Sequence, residues 1–204
     1  MRIPELIGGL LQGFQGEAQE CHRSLEQLLV SQALPKFTTA LRIGSVKTNR
    51  SGSTLHISLE GAIGETTPMF TLPLDETKEI NLDLEKMTYI NSIGVRQWIL
   101  WTMKIPNDCV VKLHNCPFVI ASQASMVVGF LTKKMTLESI RLPYACENCN
   151  FEEMYFAVRG KDYEYPINGH PPRISIPEHR ECPKCKAAQL EPDLIREKSF
   201  KFLG

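Results

Sequence analysis

The stretch Ile80-Asn-Leu-Asp-Leu-Glu-Lys-Met-Thr-Tyr-Ile-Asn-Ser-Ile-Gly-Val95 decides the fold. Ile80, Leu82 and Leu84 point one way and Asn81 and Asp83 the other. This period of two predicts a half-buried strand over 79–84. Met87 to Ile90 then leads into Asn91-Ser92-Ile93-Gly94, and a helical segment follows to Lys104, ended by Pro106 and Asn107. Ser92 falls where strand becomes helix, so its hydroxyl suits the capping of a first-turn amide.

The flanking sequence repeats the pattern. Leu55, Ile57 and Leu59 alternate with His56, Ser58 and Glu60, predicting a strand over 54–60 with His56 on the polar side. Residues 65–73 read as a Thr/Pro-rich loop with room for one short strand, 110–113 as a strand, 118–131 as a helix and 137–144 as a further strand. Strands alternating with helices imply an α/β sandwich with parallel pairs.

Both helices are more apolar than one sheet can cover. In the first, Val95, Trp98, Ile99 and Thr102 share a face, with Leu100 and Trp101 off it. Leu100 and Trp101 are therefore the expected partner surface unless the N-terminal helix or the C-terminal region covers them. Residues 1–49 read as an N-terminal extension, Gly-rich and apolar from Pro4 to Phe14. The stretch from Gly16 to Leu34 looks helical and is closed by Pro35. Its stripe of Leu25, Leu28, Leu29 and Leu34 suits packing on its own domain or a homodimer contact.

Two Cys-x-x-Cys pairs, Cys146-Glu-Asn-Cys149 and Cys182-Pro-Lys-Cys185, mark the last third. Four thiolates on two short hooks suit a tetrahedral zinc ion with no open position, a structural rather than a reactive site. The loop between the pairs exceeds the usual gap of about fifteen to twenty residues. Zinc binding there supplies on the order of 10 kcal/mol; rubredoxin-like iron and a redox disulfide are the alternatives. His170 and His179 lie nearby as second-sphere or surface residues. Cys21 with His22, and His114 with Cys116, read as incidental. Seven cysteines in no secretory pattern, with no signal or spanning segment, point to a reducing cytoplasm and no membrane.

The run from Ile80 to Val95 resembles the core of STAS domains, the fold of bacterial anti-sigma-factor antagonists, over roughly residues 50–142. The resemblance implies that Asp83 is the aspartate ending the strand and that Gly94 is the glycine of the turn opening the helix. It also implies that Ser92 stands where antagonists carry a phosphorylated serine. Asn91 replaces an aspartate at this turn and Ile93 a second hydroxyl residue. The implied organisation is an extension over 1–49, a STAS-like domain over 50–144 and a zinc ribbon over 145–204.

The chain has 43% hydrophobic and 23% charged residues and a formal charge of zero, so it can bury a core and has no global field for nucleic acid or anionic lipid. From Cys146 onward, nine Lys/Arg face ten Asp/Glu. Tyr155, Phe156, Tyr163 and Tyr165 could stack bases, but this balance argues against strong phosphate contact. No phosphate loop, informative carboxylate pair or nucleophile motif is evident. The expected function is a non-enzymatic cytoplasmic regulatory or scaffolding module that binds protein. The alternatives are a phospho-switch through Ser92 and a small-molecule or nucleotide sensor.

Overall fold

Residues 44–204 are described by the structure, a computed structural model. The expected helix over 16–34, its homodimer contact, Cys21 and His22 lie outside the described residues. Strands β1 (Ser45–Ser51) and β2 (Thr54–Ile63) form an antiparallel hairpin around Gly52, whose φ of 58° suits a residue without Cβ. Strand β3 (Glu79–Ile90) runs parallel to β2 on one side and to β4 (Val110–His114) on the other. It runs beyond its alternating part through Met87 to Ile90, staying paired with β2 by carrying one extra residue opposite Ser58–Glu60 and another opposite Gly61–Ala62.

The chain crosses from β2 to β3 through a 3-10 turn at Pro68–Thr71 and from β3 to β4 through helix α1 (Ser92–Lys104). After β4, β5 (Cys116–Pro117) and helix α2 (Phe118–Met126) lead to β6 (Met135–Leu137), which pairs parallel with β4. The sheet order is β1-β2-β3-β4-β6. Leu55, Ile57 and Leu59 of β2, Ile80, Leu82 and Leu84 of β3, and Val111 and Leu113 of β4 are all buried. Each such aliphatic side chain contributes about 1.5–3 kcal/mol.

Helix α1 corrects one expectation. Its inner face carries Gly94, Trp98, Trp101 and Thr102, continued by Ile105, the spacing of a single helical stripe. Trp101 is 1% exposed and so is core, not partner surface, and Val95 and Ile99 are half-buried at the flanks. The Trp98 and Trp101 rings lie 5.6 Å apart. Trp98 stacks on Phe130 at 4.9 Å and donates its indole N–H to the Phe130 carbonyl at 2.8 Å. Gly94 admits no side chain: a Cβ there would lie 2.5 Å from the Ile63 carbonyl oxygen, so the helix enters directly over the end of β2.

Helix α2 ends at Met126, short of the expected Leu131, and buries only Ile120 and Ala121. The chain turns through Val127–Gly129, with Gly129 at φ 83°. Beyond it, β7 (Ser139–Cys146) is the spine of a second sheet. β8 (Glu152–Val158) pairs antiparallel along one edge. On the other edge lie β5, parallel at Ile140 and Arg141, and further along β12 (Gln189–Pro192), antiparallel at Tyr144 to Cys146. β9 (Tyr163–Glu164) pairs with β10 (Arg173–Ile174), and β11 (Arg180–Glu181) with β12.

β7 crosses the boundary expected at 144/145, and residues 44–204 belong to one compact unit. The C-terminal part is also stitched back by specific bonds. The Tyr163 hydroxyl donates to the Leu137 carbonyl at 2.8 Å, and the Leu137 N–H donates to the Tyr165 hydroxyl oxygen at 2.9 Å. Ser125 donates to the Ser199 carbonyl at 2.8 Å, fixing helix α3 (Arg196–Ser199) on α2. No helix among the described residues is long and apolar enough to cross a membrane.

Candidate metal centre

Both Cys-x-x-Cys pairs occupy hairpin turns. Cys146 ends β7 and Cys149 lies in the β7–β8 turn, while Cys182 and Cys185 occupy the β11–β12 turn. The turns meet because β12 pairs with β7, setting Leu190 opposite Cys146. They are built alike. The Asn150 N–H donates to the Cys146 carbonyl at 2.9 Å and the Lys186 N–H to the Cys182 carbonyl at 3.0 Å. Asn150 and Lys186 both have φ 52°, the left-handed conformation that reverses the chain after each hook. Asn tolerates it readily; Lys186 adopts it despite its Cβ.

The four sulfurs lie within 4.8 Å of one another, the one group of potential metal ligands of this kind among the described residues. Cys146 Sγ is 3.8 Å from Cys185 Sγ, and Cys149 Sγ is 3.6 Å from Cys182 Sγ. A disulfide is about 2.05 Å long, so these are free thiols, not bridges. A tetrahedral tetrathiolate with bonds of about 2.3 Å has edges of about 3.8 Å. The donor set therefore fits a metal ion.

The surroundings favour thiolate unevenly. The Asn148 side chain and the Ala187 and Ala188 amides draw the Cys185 thiol down to about 6. Burial works against ionisation at Cys182, but the Cys185 and Lys184 amides outweigh it and hold that thiol below its ordinary value. Burial pushes Cys149 up to about 12, opposed by the Phe151 amide. Four negative sulfurs this close repel, and a cation among them lets all four ionise together. Asn148 and the ring of amides were not legible in the sequence, because they act through the turn's conformation. The same holds for Arg180. Its guanidinium lies 5.3 Å and 6.0 Å from the Tyr155 and Tyr144 ring centres and pairs with Glu153, tying the second hairpin onto the first.

The histidines stand apart from the sulfurs. His179 is exposed, with Nδ1 3.3 Å from Glu191, and His170 is exposed in the turn that its N–H closes onto the Ile167 carbonyl. His114 meets Asn81 at 3.2 Å, and burial pushes the Cys116 thiol well up. Of the four aromatics considered for base stacking, only Phe156 is exposed. Tyr163 is buried, and Tyr155 donates its hydroxyl to Asp162 at 2.6 Å.

At the opening of α1 the cap is Asn91 rather than Ser92. Its Oδ1 accepts the Gly94 N–H at 2.7 Å from an extended backbone (φ −88°, ψ 172°), which places Ser92 one residue inside the helix, exposed to solvent. Leu100 is 42% exposed on the outer side of α1. A separate open cleft of about 840 Å³ lies on the polar face of the first sheet, lined by His56, Ser58, Asn81, Asp83, His114 and Phe156 among others. No family model matches this chain, and a comparison with curated proteins finds no match.

Proposed function

We propose that this chain is a non-enzymatic cytoplasmic regulatory or scaffolding module that binds another protein, with Cys146, Cys149, Cys182 and Cys185 holding a structural zinc ion. The observation carrying the reading is the sulfur set, four thiols from two matched turns within 4.8 Å. Zinc takes four sulfurs tetrahedrally, and a site filled this way keeps no position for water or substrate. The ion supplies the charge that holds the thiolates together and cross-links the turns. A reducing cytoplasm keeps such thiols available. For the body we favour a STAS-like domain. Its support is the Asn91-Ser92-Ile93-Gly94 turn that opens a helix after a central parallel strand; Asp83, expected to end that strand, instead lies within it, because β3 runs on to Ile90.

Affinity capture from native lysate tests the reading. The wild-type chain retains a specific protein that Cys182→Ser/Cys185→Ser loses, whereas retention of nothing above background contradicts it. A phospho-switch is a second reading, favoured by the exposure of Ser92 in a first turn that holds no acidic residue. A phosphate there faces the positive end of the helix. In that reading Ser92→Ala and Ser92→Asp move partner affinity in opposite directions. The cleft over Asp83 and His114 favours a sensor, for which a nucleotide or small polar ligand raises the melting temperature.

A further inference from the structure

Building on the interaction reading, we infer that the outer face of α1 and the adjoining 127–129 turn dock an amphipathic helix of a partner protein whose apolar stripe is bordered by Asp and Glu. The inner face of α1 is fully used by Trp98, Trp101 and Thr102. On the opposite side, Ile93, Leu100 and Met103 are 47%, 42% and 76% exposed. These three share the solvent pole of the helix by its 3.6-residue period. A helix that only faces solvent needs no such stripe.

The stripe continues off the helix. Ile99 stands four residues before Met103, and a Cβ placed on Gly129 would lie 3.7 Å from Ile99 Cγ2. The Thr102 hydroxyl approaches the Gly129 carbonyl at 3.5 Å. The turn therefore rides on the flank of α1, and Val128, 97% exposed, extends the apolar band. A ridge of this shape suits helix-to-helix packing, in which the partner presents apolar residues at i, i+3 or i+4, and i+7.

Charge selects the partner. From Ser92 to Leu137 the only acidic residue is Asp108, in a chain whose formal charge is zero. Arg96 lies within the stripe, three residues after Ile93 and four before Leu100, and Lys104 follows Leu100 by four. Arg96, Lys104 and Lys133 are all exposed. A helix with Asp and Glu beside its apolar stripe complements these cations. A second copy of this chain would bring its own Arg96 and Lys104 against them. An anionic membrane is the poorer occupant, because lipid-binding segments cluster about four to eight cations. Here Lys134 is committed to the Ile105 carbonyl and Asn107, and Lys112 to Glu79.

Selection of displayed random peptides of about twenty residues on the full-length chain tests the inference. Enriched sequences should be amphipathic helices with excess Asp and Glu. Their affinity should fall about tenfold or more on Leu100→Ser/Met103→Ser, as expected for losing one or two anchor residues, with no change in melting temperature. Arg96→Glu/Lys104→Glu should weaken binding and reverse its salt dependence. Peptides that bind the double-serine variant equally well overturn this surface and leave an interaction role elsewhere standing. No enrichment overturns both. Neutral or basic peptides that still require Leu100 and Met103 overturn the acidic partner. Co-sedimentation with phosphatidylserine vesicles, or a dimer in the sedimentation profile, that the double-serine variant abolishes assigns the face to lipid or to a second copy and likewise overturns the proposal.

Discussion

In the sheet of β1–β4 and β6, the inward positions of β2, β3 and β4 are apolar throughout, and Ile57, Ile80, Leu82, Val111 and Leu113 are buried in one hydrophobic core that also holds the tryptophans of α1. At the far end of β7 the inventory changes. Cys146, Cys182 and Leu190 are buried there, but the residues between the sulfurs are Glu147, Asn148, Pro183 and Lys184, all exposed. The first region excludes water with hydrocarbon and is stable by burial. The second has backbone turns, the ends of the β7–β8, β7–β12 and β11–β12 pairings, and four thiols that repel when ionised. In the proposed zinc reading a cation among the thiols supplies what hydrocarbon burial supplies in the first.

Removing metal should separate the two regions most strongly. With a chelator and reductant present, amides at 146–152 and 180–192 lose hydrogen-exchange protection, while those of β2, β3 and β4 keep theirs. The local loss is on the order of 10 kcal/mol of metal-linked stability. Simultaneous loss of protection in β3 would dissolve the distinction. The converse change is Leu82→Ala, which opens a cavity in the aliphatic core. It should lower stability by about 2–5 kcal/mol and leave the metal content of the folded protein unchanged.

How much of this contrast was legible differs between the halves. The strands around Ile57, Leu82 and Val111 show as alternation because one face of each is hydrocarbon and the other polar. β1 does not show, since Val46 is its one apolar residue and its place depends on backbone pairing with β2. The cysteine pairs were legible because hook spacing is local chemistry. Asn148, the amide ring and the left-handed Lys186 were not, because they exist only once the turns close. Trp101 was misread from helical phase. With Val95 and Ile99 taken as the centre of the buried face, Trp101 falls outside it, whereas the face that is buried runs through Gly94, Trp98, Trp101 and Thr102. Tyr163 and Tyr165 read as ring faces for stacking, yet their hydroxyls bond the Leu137 backbone.

Two smaller effects sharpen the comparison. Asn91→Ala removes the α1 cap and should cost about 1 kcal/mol, whereas Ser92→Ala should stay within about 0.5 kcal/mol. Paired denaturant titrations measure the difference, and equal losses would return the capping role to Ser92. The smallest effect is a pH dependence in the stitching between the regions. Arg159 donates to Glu164 at 2.8 Å and holds that carboxyl below its ordinary value. A depressed folded value adds stability above the unfolded carboxylate range, near pH 4.3, and that stability is lost as pH falls through the lower folded value. Melting temperatures between about pH 5 and pH 3 should therefore drop slightly more steeply for wild type than for Glu164→Gln.

X-ray absorption at the zinc edge, on protein prepared without added metal, bears most directly on the four-sulfur centre. One zinc per chain with four sulfurs near about 2.3 Å is the predicted result. A zinc shell containing nitrogen or oxygen, or chains with little metal and four freely alkylated thiols at Cys146, Cys149, Cys182 and Cys185, would contradict it.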